Sequence, residues 1–206
     1  MSVRDADLVK VWNDGVLIRK NIDFLRMPTK RVTFPISEQI NNIIRDLIDT
    51  YRALPCAGIA ANQLGFDKKI FIGMKHDKDE EGNEDSSKNI DEVKPDPDNH
   101  EIYINPQIDK VNEKSTQKGD EGCLSIPNLS LELERYDKIK VRYYDINGHC
   151  MKKPLSGFLS RLFQHELDHL NGHLMLEHKN IYDAGMQAED DEYKELFMQL
   201  MKYLNE

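Results

Sequence analysis

The sequence predicts an α+β fold in which antiparallel sheets wrap around a central helix that carries residues 165–169, HELDH. Two observations predict this fold. Segments of strand-like composition occupy much of residues 102–155, with a strong hairpin signal at Asn147-Gly148. Helical patterns of apolar residues then follow, one running from Ser156 through the HELDH segment and one over residues 187–206.

Length and charge limit the class of protein. A chain of 206 residues can bury one sizeable core and is short for two, so we expect a single domain over residues 1–206. The chain has 28 basic and 37 acidic residues and a formal net charge of −9. This balance argues against direct nucleic-acid binding and against an anionic membrane as a partner.

Targeting signals and cysteine use indicate the expected compartment. The N-terminus has no apolar core of signal-peptide length, and no apolar run approaches the roughly 18 residues that cross a bilayer. Three cysteines do not form a disulfide framework in a chain of this size, so we expect a cytoplasmic protein. Cys56 and Cys150 belong to no ligand-spaced cluster and are expected to be ordinary core or surface residues.

The N-terminal third contains one clear helix. The first 35 residues show only short apolar runs and are expected to wrap a core built elsewhere. Ser37 is a good N-cap, and the apolar residues after it recur at helical spacing, which predicts a helix over 37–54. The loop over 56–65 then leads into a predicted strand at 69–74.

An acidic segment follows. Between Lys75 and Glu101 there are 11 acidic residues and four lysines, so most of the net charge of the chain lies here. With its glycine, serines and prolines, the segment is interpreted as an exposed acidic loop insertion at about 75–100. An acidic loop that docks a partner is the alternative, although charge runs of this kind are usually solvated loops.

The second half alternates strands with two helices. Strands are predicted over 102–112, 129–133 and 138–144, and a two-residue turn at Asn147-Gly148 returns the chain to about Leu155. The apolar stripe of the next helix ends at Asn171-Gly172, a suitable C-terminal stop. We expect the apolar face of the last helix, at about 187–206, to pack on the body of the domain, and a partner-binding face is the alternative.

The HELDH segment has the spacing of a metal site. Residues four apart share one face of a helix, so His165 and His169 can offer two imidazoles to one ion. Glu166 is placed to handle protons and is a poor third helical ligand, which leaves Cys123 as the natural candidate. Two histidines and one cysteine leave one coordination position open, as in catalytic sites. The sequence therefore indicates a metallohydrolase.

Simpler interpretations exist for each part. The motif HExxH also occurs in zinc peptidases that cut internal bonds, and a helix with two surface histidines would need no metal. Cys123 alone would be an unremarkable buried residue. A non-catalytic, metal-stabilised binding protein is a third interpretation. Unpaired imidazoles in a strongly apolar helix would nevertheless be costly, which favours metal ligation.

Three segments in order carry a resemblance to a known family. Residues 58–63 (GIAANQ), 121–125 (EGCLS) and 164–169 (QHELDH) resemble the three motifs of peptide deformylases. The similarity extends from about Leu17 to Glu177. It implies a hydrolase that removes the N-formyl group from N-terminal formylmethionine of nascent polypeptides and releases formate.

The resemblance assigns a role to each motif. It implies that Cys123, His165 and His169 hold one divalent metal ion, ferrous iron in the cell, and that Zn²⁺, Ni²⁺ or Co²⁺ can occupy the same ligands. Glu166 would act as general base and then as acid. The side-chain amide of Gln63 would donate to the formyl oxygen, although spacing alone equally allows an amide that ties its loop to a neighbouring strand.

The remaining site positions concern the substrate and its partners. The backbone N–H of Leu124 would add a second donor, and Gly58, Ile59 and Gly122 would bind the peptide, the first two as an edge that pairs with it. Expected partners are N-formylmethionyl peptides and, through nascent chains, the ribosome. Glu121 and Asp168 are candidates for orienting the ligands through Arg135. The candidates for an apolar methionine pocket are Ala57, Phe158 and Leu162.

Some positions depart from the family pattern. Cys56 replaces the usual first glycine of the first motif, and no basic side chain lies between Leu124 and Arg135. The C-terminal tail is mainly acidic, so a basic ribosome-docking helix is not expected. None of these departures affects a proposed ligand, base or oxyanion donor.

Overall fold

A computed structural model describes residues 8–77, 98–178, 186–188 and 191–205. Its α-helices are α1 (Arg19–Leu25), α2 (Glu38–Ala53), α3 (Gly157–Asn171) and α4 (Asp191–Asn205). Its strands are β1 (Trp12–Asn13), β2 (Val16–Leu17), β3 (Gly58–Ala60), β4 (Ile70–Met74), β5 (His100–Val111), β6 (Thr116–Cys123), β7 (Ile126–Tyr136), β8 (Ile139–Tyr144), β9 (Cys150–Leu155) and β10 (Met186–Ala188).

The strands form antiparallel sheets, which confirms the predicted mixture of helices and antiparallel sheets. A five-stranded sheet has the order β3-β4-β5-β8-β9, and a three-stranded sheet has the order β10-β7-β6. Strands β1 and β2 form a separate two-stranded ribbon. Among the described residues, no helix combines the length and apolarity needed to cross a bilayer.

Helix α3 packs between the two larger sheets, with contacts to β3, β4 and β7. On the side of the five-stranded sheet, the ring of Phe163 meets the rings of Phe71 and Tyr103 edge-on. Helix α2 covers the opposite face, where Ile43 and Leu47 share a core cluster with Ile70, Ile72 and Ile104 of the sheet. The helix with residues 165–169 is therefore enclosed by protein, and most of its residues are buried.

The predicted bounds of the main helices are close to those observed. Ser37 caps α2, since its Oγ accepts a hydrogen bond from the N–H of Ile40 at 3.3 Å. Gly172 ends α3 in a left-handed conformation with φ +79°. The C-terminal helix begins at Asp191 and not at 187, because residues 186–188 pair with β7 as strand β10.

Other predictions need correction. The hairpin between β8 and β9 has a five-residue connection, because Asp145 Oδ1 accepts the N–H groups of both Asn147 and His149 and holds a wider loop. Only Gly148 in it has a positive φ, whereas a two-residue turn at Asn147-Gly148 would need both. Some elements were not predicted from the sequence. Among them are β1, β2 and α1 in the first 35 residues, and β6. Residues 78–97 of the acidic insertion lie outside the described residues.

Candidate metal centre

Two elements bring the three predicted ligands together. Cys123 ends strand β6, and His165 and His169 lie one turn apart on α3. One ligand atom from each residue lies within 4.8 Å of the others, and Cys123 Sγ is 3.2 Å from His169 Nε2. All three side chains are buried. Burial of two imidazoles and a thiol this close together is costly unless a common partner satisfies them.

His165 is oriented by a buried carboxylate. Its Nδ1 lies 3.0 Å from Glu121 Oε2, which leaves Nε2 on the other side of the ring. Glu121 is completely buried and binds the guanidinium of Arg135 at 2.9 Å and 2.8 Å. Although burial opposes ionisation, the charge and hydrogen bonds of Arg135 hold the pKa of Glu121 well below its ordinary value. The carboxylate is thus a fixed acceptor for the Nδ1–H of His165.

Glu166 lies inside the same enclosure. It is 1% exposed, and its Oε2 is buried without a hydrogen-bond partner among the described residues. Burial raises the pKa of Glu166 to about 7. A carboxyl group that titrates near neutrality can both accept and return a proton.

Gln63 both secures its loop and reaches the cluster. Its Oε1 accepts a hydrogen bond from the N–H of Ala60 at 2.8 Å. The side-chain oxygen therefore ties the loop to strand β3, which is the alternative role that spacing allowed. Its Nε2 lies 3.5 Å from Cys123 Sγ and 3.3 Å from Ser125 Oγ, so the amide nitrogen points to the proposed ligands. Leu124 follows Cys123 directly, in the turn between β6 and β7.

The predicted peptide-binding positions lie on two strands. Gly58 and Ile59 belong to β3, the edge strand of the five-stranded sheet. They pair with Gly73 and Ile72 on one side, and no other strand of the described residues pairs with them. Gly122 lies on β6 opposite Ser130, next to Cys123. An edge strand with one free side is the kind of element to which an extended peptide can add.

The predicted pocket residues form one apolar cluster. Ala57, Phe158 and Leu162 pack together with Met74, and the four are almost completely buried. Met74 was not predicted. The sequence predicts Met74 at the end of a strand. Only the folded structure shows that this end of the strand packs against Phe158 and Leu162 of α3.

Two further residues were missed. Arg161 is buried and hydrogen-bonds to Glu121, and His178 Nε2 lies 3.0 Å from Asp168 Oδ2. Arg135 contacts both Glu121 and Asp168, as expected from the sequence. Arg161 lies four residues before His165, and this helical spacing was the signal that could have identified it.

The donor set is suited to a transition metal. One sulfur and two imidazole nitrogens are soft and borderline ligands, which suit Zn²⁺, Fe²⁺ and similar ions better than Mg²⁺ or Ca²⁺. Among the described residues, no fourth residue of the cysteine, histidine, aspartate or glutamate type belongs to this group. Three candidate metal ligands beside a buried carboxylate of raised pKa are the arrangement expected of a metal-dependent hydrolase.

Comparison with known proteins identifies the family. A model described as polypeptide deformylase matches residues 17–184. The chain is 36% identical to a peptide deformylase of Aquifex aeolicus over 73% of this chain and 78% of that protein. It is 30% identical to peptide deformylase 1 of Clostridium perfringens over 82% of this chain and 95% of that protein. The chain therefore belongs to the polypeptide deformylase family.

Solved structures agree with this assignment. A peptide deformylase from Synechococcus elongatus, in complex with actinonin, superposes with a TM-score of 0.65 at 28% identity, covering 94% of this chain and 86% of that one. A peptide deformylase from Thermotoga maritima gives a TM-score of 0.61 at 30% identity, covering 82% and 93%.

Proposed function

We propose that this protein removes the N-formyl group from N-terminal formylmethionine of nascent polypeptides and releases formate. The observation that carries the proposal is the convergence of Cys123, His165 and His169 beside Glu166, in a chain of the polypeptide deformylase family. The whole chain forms a single catalytic domain, with the acidic insertion at about 75–100 and the helix near the C-terminus as additions to it.

The proposed ligands of the metal are Cys123, His165 and His169. When bound, a divalent ion supplies an acidified water and polarises the formyl carbonyl. Ferrous iron is the proposed ion in the cell, and Zn²⁺, Ni²⁺ or Co²⁺ are proposed substitutes, since the mixed sulfur and nitrogen donors accept all of them.

Glu166 is the proposed proton carrier. Its carboxyl group is buried next to the ligands, with one oxygen free of partners in the described part of the chain. It accepts a proton from the attacking water and returns it to the nitrogen of the leaving peptide. A pKa of about 7 suits both halves of this exchange near neutral pH.

Gln63 and Leu124 are proposed to stabilise the charge that develops on the formyl oxygen. The amide nitrogen of Gln63 faces the sulfur of Cys123, and its orientation is fixed because its Oε1 holds the N–H of Ala60. The backbone N–H of Leu124 is the second proposed donor. One such preorganised donor is worth roughly 3 kcal/mol of activation barrier.

The substrate is proposed to lie along the free edge of β3. There Gly58 and Ile59 would pair with the peptide backbone, and Gly122 would border it from β6. The methionine side chain would enter the apolar region formed by Ala57, Phe158 and Leu162. Nascent chains make the ribosome a proposed partner. The cytoplasm is the proposed location, because three cysteines do not make a disulfide framework in a chain of this size.

Formate release from a short formyl-methionyl peptide tests the function directly. Protein prepared without oxygen and loaded with Fe²⁺ or Co²⁺ is expected to release formate in step with a new peptide amino terminus. Glu166→Gln, which keeps the shape of the side chain, is expected to bind the metal and to lower kcat by at least about 100-fold.

Two outcomes would contradict this proposal. Cleavage of internal peptide bonds without formate release would indicate a peptidase. Full turnover by metal-loaded Glu166→Gln would show that the carboxylate does not carry the proton.

A further inference from the structure

Arg161 connects the two elements that supply the proposed ligands. It lies on α3, one turn before His165, and its side chain is 4% exposed. Its guanidinium crosses to the β6–β7 hairpin, the hairpin that ends β6 at Cys123. Burying an arginine costs free energy unless its N–H donors are hydrogen-bonded. The hydrogen bonds that Arg161 makes therefore indicate its structural role.

Those contacts are numerous and all lie on the hairpin. Arg161 Nη1 donates to the carbonyl oxygens of Gly119 at 3.0 Å and Leu133 at 3.1 Å, and to Glu121 Oε1 at 2.9 Å. Its Nη2 donates to the carbonyl oxygen of Gln117 at 3.1 Å. Arg161 therefore ties α3 to the hairpin through four hydrogen bonds, three to β6 and one to β7.

The hairpin is shaped to admit this guanidinium. A Cβ atom at Gly119 would lie 3.1 Å from Nη2 and 3.2 Å from Cζ of Arg161, closer than ordinary van der Waals contact. Glu121, in turn, is held by Arg161 on Oε1 and by Arg135 on both oxygens, while its Oε2 faces His165 Nδ1. Removing either arginine would leave the carboxylate less firmly held.

We infer that Arg161 is a positioning residue for the metal site: it acts through Glu121 and the β6–β7 hairpin to hold Cys123 and His165 at ligating distance. The hydrogen bonds of Arg161 go to the β6–β7 hairpin and to none of the three proposed ligands. Its effect on catalysis is indirect, through the geometry of the ligands. This inference rests on the proposed role of these residues as metal ligands.

Co²⁺ binding to the full-length protein tests the inference, because the charge-transfer band of a cobalt thiolate reports on Cys123 directly. Arg161→Met is expected to weaken Co²⁺ binding by about 10- to 100-fold, as for other residues that orient metal ligands, and to change the band. Arg161→Lys keeps the charge but loses the planar guanidinium with its several N–H donors. Its affinity for Co²⁺ is expected to lie between those of Arg161→Met and the wild type. Arg142→Met removes a partly exposed arginine of β8 and is the matched control, expected to bind as the wild type does.

A second variant keeps Arg161 and tests the inference even if Arg161→Met does not fold. Gly119→Ala pushes the guanidinium by a few tenths of an ångström, and we expect it to weaken Co²⁺ binding several-fold in a folded protein. Wild-type affinity and an unchanged band in folded Arg161→Met would overturn the inference. Should that variant not fold, wild-type affinity in Gly119→Ala would overturn it equally.

The proposed function fails separately. Wild-type protein that binds Co²⁺ with the thiolate band but releases no formate would refute deformylation and leave the role of Arg161 intact. Conversely, formate release by the wild type together with undiminished Co²⁺ affinity in the Arg161 and Gly119 variants would refute only the positioning role.

Discussion

Gly58 occupies a position where any side chain would meet Glu166. A Cβ atom there would lie 2.8 Å from Glu166 Oε1 and 2.9 Å from Leu162 Cδ1. The family resemblance suggested this glycine for its backbone, as part of an edge for the peptide. The structure adds a second reason, because the absence of a side chain gives room to the proposed proton carrier.

Substitution of Gly58 should therefore affect catalysis more than folding. Gly58→Ala is expected to lower kcat by about 100-fold, since displacement of a catalytic group by about 1 Å can have an effect of this size. The measurement is formate release by protein of verified metal content.

Gly73→Ala provides a matched comparison. Gly73 pairs with Gly58 on the next strand, and its Cβ atom would meet Phe71 and Leu162 only at 3.3 Å and 3.5 Å. A milder loss is expected there. Equal losses in the two variants would show that the contact with Glu166 is not the cause.

Helix α3 is bounded by two glycines in left-handed conformations, and they differ in the space around them. Gly157 has φ +57°, and a Cβ atom there would meet no heavy atom of the described residues within 4 Å, apart from its chain neighbours and the backbone of its own helix. Gly172 has φ +79°, and a Cβ atom there would lie 2.4 Å from the carbonyl oxygen of Arg26. The first glycine is required by backbone conformation alone. The second is required by conformation and by close contact with backbone.

Alanine substitutions should separate these two costs. Gly157→Ala is expected to lower the free energy of unfolding by about 1 to 2 kcal/mol. Gly172→Ala is expected to lower it by about 3 kcal/mol or more, because the backbone of Arg26 must also move. Urea denaturation at constant m-value measures both. A smaller effect at Gly172 than at Gly157 would contradict the steric argument.

Strand β6 shows why one element escaped prediction. Its sequence, TQKGDEGC, has no apolar alternation, which is the usual signal of a half-buried strand. Its inner face is filled by the guanidinium of Arg161, above Gly119, and by the carboxylate of Glu121. Ion pairs here replace the apolar contacts that the sequence pattern would have revealed.

A partly buried ion pair lies within the five-stranded sheet. Glu101 on β5 accepts hydrogen bonds from Lys153 of β9 and from Tyr143 of β8. Burial opposes its charge, but the hydrogen bonds from Lys153 and Tyr143 prevail and lower its pKa below the ordinary value of 4.5. The folded state therefore favours the ionised carboxylate, and this group ties three strands of the five-stranded sheet together.

The lowered pKa of Glu101 determines how pH changes the free energy of unfolding. The stabilisation from Glu101 is complete above the unfolded pKa and is lost as pH falls through the lower folded pKa. Glu101→Gln is expected to be less stable than the wild type by about 1 to 2 kcal/mol at pH 7, with the difference shrinking below about pH 4. Denaturation at a series of pH values measures this, with the exposed Glu132→Gln as control. A difference that does not change with pH would exclude the charge as its cause.

The sequence by itself determined the elements with strong local signals and the composition of the site. Helical periodicity predicted α2 and α3, strand composition predicted β4, β5, β7 and β8, and i, i+4 spacing selected His165 and His169. These are local properties, because capping, periodicity and i, i+4 spacing depend on residues close together in the chain.

Only the tertiary structure decided how distant residues combine. It placed Gly58 against Glu166, Met74 against the predicted pocket, and Arg161 across the β6–β7 hairpin. Helical spacing could have singled out Arg161 as a candidate, but each of these contacts joins residues that are far apart in the chain. Their energies arise from burial and from hydrogen bonds between separate elements, which exist only after the sheets have closed around α3.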